Sequence, residues 1–256
     1  MTSLYLASLP RLFFVTNNAS KSRKEYYKKF VSLGLDFVKM ESINGTTNAT
    51  AEYLMEQPHP ISKIFVIGMP GFVQELNDYG FKTVGLPMDT TNLEELADVD
   101  LDPEVNAVVV GMDSSFNYTK LATACLFIRY NPGCKFVATN LDTGSMQGIK
   151  GKRFMAGTGC LVTAVQVGCG RAPDVVVGKP SEWWINHIID SHQLDRKKTI
   201  MFGDRLDTDM LFAKQGGIDS VLVLTGVTQD LAEITSDLHP TYVANGLADF
   251  ASLSSS

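Results

Sequence analysis

The sequence is poor in the residues that build soft-metal sites and cross-links. Its four cysteines, Cys125, Cys134, Cys160 and Cys169, include no Cys-x-x-Cys pair, and its four histidines, His59, His187, His192 and His239, show no metal-binding spacing. Zinc chemistry is therefore not expected. A chain of 256 residues is long enough to bury a sizeable core without disulfides, so reduced, scattered thiols are the expected state. No apolar stretch is long enough to span a membrane. No Gly-x-Gly-x-x-Gly follows an early strand, which argues against a general nucleotide-binding Rossmann protein. A net charge of -6 with a pI near 5.2 provides no basic field, and nucleic acid and anionic membranes are not the expected partners. Acidic residues are absent from residues 1–10, and the first Asp of the chain is Asp36.

What is present is ordinary for a globular protein: 45% hydrophobic and 20% charged residues, with no repeat or low-complexity tract. Residues 4–15 are apolar, but no basic residue precedes them and Pro10-Arg11 interrupts them. They read as a buried strand at residues 12–15 rather than a secretory signal. Without such a signal, the Asn-x-Ser/Thr triplets at Asn18, Asn44, Asn48 and Asn117 are read as chance. A cytoplasmic location is expected, with an organellar stroma left open. The tail Ser254-Ser255-Ser256 is expected to fray.

Short apolar runs alternate with helical patterns. Strands are expected at residues 12–15, 63–67, 107–110, 135–138, 175–177, 199–202 and 220–224. Helices are expected at 20–33, 71–79, 117–130, 160–168, 183–191 and 207–214. In the first helix Tyr26, Phe30 and Leu33 share a face. This alternation implies βαβ units and an α/β fold with a mostly parallel sheet. A fully apolar strand such as residues 175–177 fits a sheet covered on both faces.

Three polar segments follow strands, where open α/β sheets place their ligands. Thr16-Asn17-Asn18 follows the first strand; hydroxyl, amide and backbone N–H groups at a helix start can donate to phosphate oxygens. A helix cap with no ligand explains the same residues equally well. Lys179, in Val177-Gly178-Lys179-Pro180, can neutralise a phosphate and a nearby carboxylate, although a lone lysine is more often solvated. Pro180 is a plausible first-turn residue for the next helix. Asp204, Asp207 and Asp209 stand within six positions, more than a cap alone requires. Hard oxygen ligands without Cys or His favour Mg2+ over zinc.

As a set, Thr16-Asn17-Asn18-Ala19-Ser20-Lys21-Ser22-Arg23, Val177-Gly178-Lys179-Pro180-Ser181 and Gly203-Asp204-Arg205-Leu206-Asp207-Thr208-Asp209-Met210 resemble the haloacid dehalogenase superfamily. The resemblance is to its branch with a large α/β cap: phosphoglycolate, glycerol-3-phosphate, pyridoxal and 4-nitrophenyl phosphatases. The run from Arg153 to Val162 resembles the phosphoglycolate phosphatase type. The resemblance implies a three-layer, Rossmann-like parallel-sheet core, N-terminally incomplete, at residues 1–60 and 171–256. It also implies an inserted α/β cap at residues 61–170, a domain of on the order of 100 residues. Thr16, Asn17 and Asn18 would bind the phosphoryl group, and Lys179 would hold that group together with the nucleophile. Asp204 would ligate Mg2+, and Asp209 would support the metal site from the following helix. Asp207 would face solvent or cap that helix. A cap loop around residues 140–146 would close over a small phosphorylated metabolite. It has no histidine, which lowers the case for pyridoxal phosphate. A homodimer is left open.

Members of the family carry an Asp-x-Asp-Gly motif on an earlier strand, where the first Asp attacks phosphorus and the second acts as general acid and base. Residues 1–10 supply neither carboxylate. An incomplete gene model, fragment or splice form is expected before an evolved pseudoenzyme, and this chain is expected not to turn over substrate by the aspartyl-phosphate route. The leading expectation is Mg2+-dependent hydrolysis of small phosphomonoesters of the phosphoglycolate or glycerol 3-phosphate type, with the nucleophile segment missing. The alternative is a non-catalytic paralogue that binds phosphometabolites.

Overall fold

Strands and helices alternate through residues 11–85, 93–147 and 153–249, the residues that the computed structural model describes. The part of the apolar run 4–15 before residue 11 and the tail at 254–256 lie outside them. Contacts divide the chain into two units, Met1–Val177 and Gly178–Ser256.

In the first unit, β1 (Phe14–Thr16) pairs in parallel with β2 (Ile43–Gly45). Helix α1 (Arg23–Ser32) starts three residues later than its apolar pattern implied. Ser22 caps it with a reciprocal box: Glu25 N donates to Ser22 Oγ (3.2 Å) and Ser22 N donates to Glu25 Oε2 (2.7 Å). Such a cap contributes about 0.5–2 kcal/mol. Tyr26 and Phe30 do pack inward, with the Phe14 and Phe30 rings 4.4 Å apart. Leu33 is the C-cap and is exposed, because the helix ends before its side chain can turn inward.

Helix α2 (Thr46–Met55) has no counterpart in the sequence reading. Its first turns, Thr46-Thr47-Asn48-Ala49-Thr50, are buried yet lack an apolar stripe. Burial is tolerated because the hydroxyls find carbonyls: Thr46 Oγ1 donates to Asn17 O (3.1 Å), Thr47 Oγ1 to Lys21 O (3.1 Å) and Thr50 Oγ1 to Thr46 O (2.7 Å). Asn44 and Asn48, both in glycosylation-type triplets, are buried too, and Asn117 caps a helix.

A five-stranded parallel sheet follows, in the order β4 (Lys82–Val84), β3 (Lys63–Ile67), β5 (Val105–Val110), β6 (Lys135–Ala138), β9 (Val175–Val176). Side chains alternate between the faces. Phe65, Ile67, Val108, Val110, Phe136 and Ala138 share one face with α5 (Tyr118–Tyr130) and α6 (Thr158–Cys169). Ile64, Val66, Val109 and Val137 on the other face are equally buried. Continuous apolar runs are what a sheet covered on both sides requires. Strand β9 departs from that expectation: among the described residues it is an edge strand paired with β6, and Val175 and Val176 are only half-buried. It lies beyond residue 170, where the cap was expected to end, yet it completes the sheet of residues 63–138. Helix α3 (Pro70–Asp78) begins one residue before its expected start. Helix α4 (Leu93–Ala97) and the antiparallel hairpin β7 (Gly144–Gln147) and β8 (Arg153–Ala156) were not expected.

Helix α3 is tied to α1 and α2 by charge. The Arg23 guanidinium faces Glu75 (3.5 Å), Glu52 (3.2 Å) and the Tyr79 hydroxyl, and Arg23 N donates to Glu75 Oε2 (2.7 Å). Burial raises the Glu75 carboxyl above its ordinary value, with Arg23 opposing it.

The cysteines form no disulfide among the described residues. Burial pushes the Cys134 thiol up to about 12 and Cys125 to about 11, whereas Cys160 is exposed. A maleimide at neutral pH should therefore label Cys160 first, and Cys134 and Cys169 only after unfolding. Peptide mass analysis of a labelling time course tests this; equal rates at Cys134 and Cys160 would contradict it.

The second unit is a parallel sheet in the order β10 (Ile200–Gly203), β11 (Asp219–Val223), β12 (Tyr242–Ala244), with helices α7 (Glu182–Ser191) and α8 (Leu211–Gly216). Trp184 and Phe212 bind the two helices together, their ring centroids 5.4 Å apart. Pro180 is not in the first turn of α7; Ser181 caps that helix, accepting from Trp184 N. The helix expected at 207–214 is two segments, a π-helical turn at Leu206–Met210 and then α8.

Candidate active site

In the second unit, the π-helical turn brings Asp209 back beneath the end of β10. Asp209 is 4% exposed and both of its carboxylate oxygens are engaged. Oδ1 meets Lys179 Nζ at 2.6 Å, and Oδ2 accepts from Asp204 N (3.0 Å) and Arg205 N (3.2 Å). Gly203 makes this possible: a Cβ there would lie 2.2 Å from Asp209 Cβ. The close approach demands glycine, whatever the backbone angles.

Asp204 stands at the end of β10, held from the opposite side by the loop after β11. Val227 N donates to its Oδ2 (2.9 Å) and Thr228 N to its carbonyl (2.9 Å). Gly226 is required for that loop to close, since a Cβ would lie 1.9 Å from Asp204 Oδ2. Asp204 Oδ1 accepts no hydrogen bond among the described residues. Asp207 points away, 62% exposed in its side chain and paired with Arg205 through two contacts of 3.0 and 2.7 Å. The hydrogen bonds from Arg205 hold its carboxyl below the usual carboxylate range.

The sequence thus named Lys179, Asp204 and Asp209, and the structure brings these three together. It did not reveal Gly226 or Val227, because nothing local in Leu224-Thr225-Gly226-Val227 marks a loop that must touch a carboxylate. For a divalent cation the described residues of this turn offer one carboxylate, that of Asp204. Its oxygens are hard donors of the kind Mg2+ takes. Asp209 has no oxygen to spare for direct ligation. No group of three His, Cys, Asp or Glu side chains is arranged around a metal position among the described residues.

In the first unit, Thr16-Asn17-Asn18 forms a tight turn after β1. Thr16 Oγ1 accepts from Asn18 N (3.2 Å) and shares a hydrogen bond with the buried Tyr26 hydroxyl. Asn18 Oδ1 accepts from Ser20 N (2.8 Å) and Ser20 Oγ (2.6 Å), a local turn rather than a helix cap, since Ser22 caps α1. Asn17 is 8% exposed. Its Nδ2 donates to Asp142 Oδ1 (3.2 Å), and its carbonyl accepts from Asn140 Nδ2 (2.8 Å) and Thr46 Oγ1 (3.1 Å). Asn140 and Asp142 belong to the segment expected to act as a cap loop.

Comparison with known proteins now gives these features a family. Residues 6–82 match the family described as Haloacid dehalogenase-like hydrolase, and residues 176–250 the one described as HAD-hydrolase-like. The chain is 41% identical over 248 residues to Phosphoglycolate phosphatase 1A, chloroplastic, of Arabidopsis thaliana, covering 94% of this chain and 67% of that protein. It is 37% identical to human Glycerol-3-phosphate phosphatase over 85% of this chain and 70% of that one. The p-nitrophenyl phosphatase of Archaeoglobus fulgidus superposes with a TM-score of 0.76 at 31% identity, covering 94% and 85% of the two chains. These matches and the parallel-sheet architecture define an α/β phosphatase fold. The chain belongs to the haloacid dehalogenase-like hydrolase family.

Proposed function

We propose that this chain handles small phosphomonoesters of the phosphoglycolate or glycerol 3-phosphate type in a Mg2+-dependent way. The observation that carries the reading is the Lys179–Asp209–Asp204 arrangement, in which an ammonium and a carboxylate oxygen are held ready by Asp209 and by the backbone of residues 226–228. Asp204 would hold Mg2+, which supplies charge neutralisation for a phosphoryl group. Asp209 would act from behind, fixing Lys179 and the turn at Asp204. Thr16, Asn17 and Asn18 would bind phosphate through a turn already fixed by internal hydrogen bonds. We take residues 61–170 as the cap and extend it through β9.

Transfer to an aspartate needs a carboxylate nucleophile, and no acidic residue stands at positions 1–15. We therefore rest the reading on the groups these 256 residues do hold for binding, with the attacking carboxylate not among residues 1–15. A cytoplasmic site of action is part of the proposal, with an organellar stroma as the second reading because one relative is chloroplastic. The test is incubation with 2-phosphoglycolate and with glycerol 3-phosphate in Mg2+, following orthophosphate release. No release above the buffer rate is expected. Sustained turnover abolished by Asp204→Asn would contradict the nucleophile part of the reading and point to another attacking group.

A further inference from the structure

Asn17 is held by residues more than 120 positions away in the chain. Its peptide link to Asn18 is fixed from three directions. The carbonyl takes Asn140 Nδ2 (2.8 Å) and Thr46 Oγ1 (3.1 Å), so both acceptor positions are filled, and the N–H of Asn18 points to Thr16 Oγ1 (3.2 Å). Asn140 is 2% exposed and leaves nothing of its amide idle. It also donates to Thr139 Oγ1 (3.3 Å), and its Oδ1 accepts from Asp142 N (3.1 Å). That last bond turns the chain so that Asp142 Oδ1 receives Asn17 Nδ2 (3.2 Å).

The far end of this arrangement is rigid. Asn140 follows β6, which is hydrogen-bonded on both sides, to β5 and β9. Residues 141–143 are clamped by the turn that starts α6: Gly159 N donates to Asp142 O (2.9 Å) and Gly157 N to Thr143 O (2.8 Å). A Cβ at Gly157 would lie 2.3 Å from Asp142 O, and one at Gly159 2.5 Å from Leu141 O. Gly157 and Gly159 are thus present because the backbone of residues 141–143 passes directly over them.

We infer that Asn140 and Asp142 are positioning residues that fix the peptide plane and side chain of Asn17, so that residues 16–18 are preshaped for an anion. This rests on the proposed phosphate binding and adds to it a role for the 139–143 loop that needs no contact with substrate. Asp142 serves here as an acceptor of a hydrogen bond, not as a charge. Asp142→Asn keeps an acceptor oxygen within reach of Asn17 Nδ2 and should behave as the parent. Asp142→Ala removes it. Asn140→Asp is isosteric and keeps the acceptor for Asp142 N, but sets a carboxylate oxygen against the Asn17 carbonyl.

The experiment pairs orthophosphate titration by calorimetry with amide hydrogen exchange over residues 16–22, using the full chain. Asn140→Asp and Asp142→Ala should each weaken orthophosphate binding about tenfold and speed exchange at residues 17–18 about tenfold. Exchange in β3, β5 and β6 should be unchanged, which shows that the variants remain folded, and Asp142→Asn should match the parent in both readouts. If Asn140→Asp and Asp142→Ala leave exchange and affinity within about twofold of the parent, the assignment is overturned. A loss with Asp142→Asn equal to that with Asp142→Ala would also overturn it, in favour of a charge effect. If the parent itself takes up no orthophosphate, the proposed function fails; the exchange arm alone then decides whether these residues hold the turn.

Discussion

Replacing Lys120 by Met should cost the protein about 3–5 kcal/mol of stability. The Lys120 and Asp113 side chains are 3% and 2% exposed, and their contact is 2.7 Å. Asp113 follows the end of β5, and Lys120 lies in the first turn of α5. Lys120 Nζ also donates to Ser115 Oγ (2.8 Å), while Asp113 Oδ1 accepts from Ser115 N (2.9 Å) and Oγ (2.8 Å). Every charge in the cluster is therefore desolvated and matched. Removing the ammonium leaves a buried carboxylate with neutral donors only, which is the costly case for a buried pair. With total stabilities of about 5–15 kcal/mol, the expected loss is a large fraction. The double variant Lys120→Met, Asp113→Leu should recover much of it, since an apolar pair carries no uncompensated charge. Urea unfolding of the parent and the two variants tests this. A loss below about 1 kcal/mol for Lys120→Met, the scale of an exposed pair, would mean that water reaches the cluster.

Asp209→Ala should abolish Mg2+-dependent phosphate binding. The same carboxylate neutralises Lys179 and receives two backbone N–H groups at residues 204 and 205. Without it the turn loses the bonds that aim Asp204, and the Lys179 ammonium, 11% exposed, loses its 2.6 Å contact with a carboxylate. Affinity should fall by at least about 100-fold, corresponding to about 2.7 kcal/mol. Asp209→Asn should not rescue it. A carboxylate is acceptor-only on both oxygens, whereas an amide presents NH2 either to the ammonium or to the backbone N–H groups. Asp207→Asn is the control: that side chain is exposed and its charged partner at this turn is its neighbour Arg205, so stability should move by less than about 1 kcal/mol. If Asp207→Asn cost as much affinity as Asp209→Ala, the assignment of roles in this turn would be wrong.

The strands of the larger sheet were legible because their runs are continuously apolar, as burial on two faces dictates. Residues 63–67 and 135–138 were matched to the residue. Helix α2 was not legible because its burial is carried by threonine hydroxyls bonded to carbonyls, which no hydrophobic period records. The π-helical turn was hidden as well. Residues 207–214 read as one helix, and only the demand that Asp209 reach back to residues 204 and 205 splits them. The motif residues Lys179, Asp204 and Asp209 stood out through their placement after strands and their charge. Asn140 and Asp142 were visible only as part of a loop. Their hold on Asn17 depends on a fold that brings positions 17 and 140 together, and local sequence carries no trace of it. The close approaches at Gly157 and Gly159 likewise show only in the structure.

The central claim is that this chain binds a small phosphomonoester with the help of Mg2+ held at Asp204. A calorimetric titration of the 256-residue chain with 2-phosphoglycolate, with Mg2+ and then with chelator, tests it most directly. The account predicts saturable binding in Mg2+, binding weakened at least about tenfold by chelation, and the same weakening in Asp204→Asn without chelator. Absence of binding in Mg2+, or binding unaffected by both chelator and Asp204→Asn, would contradict it.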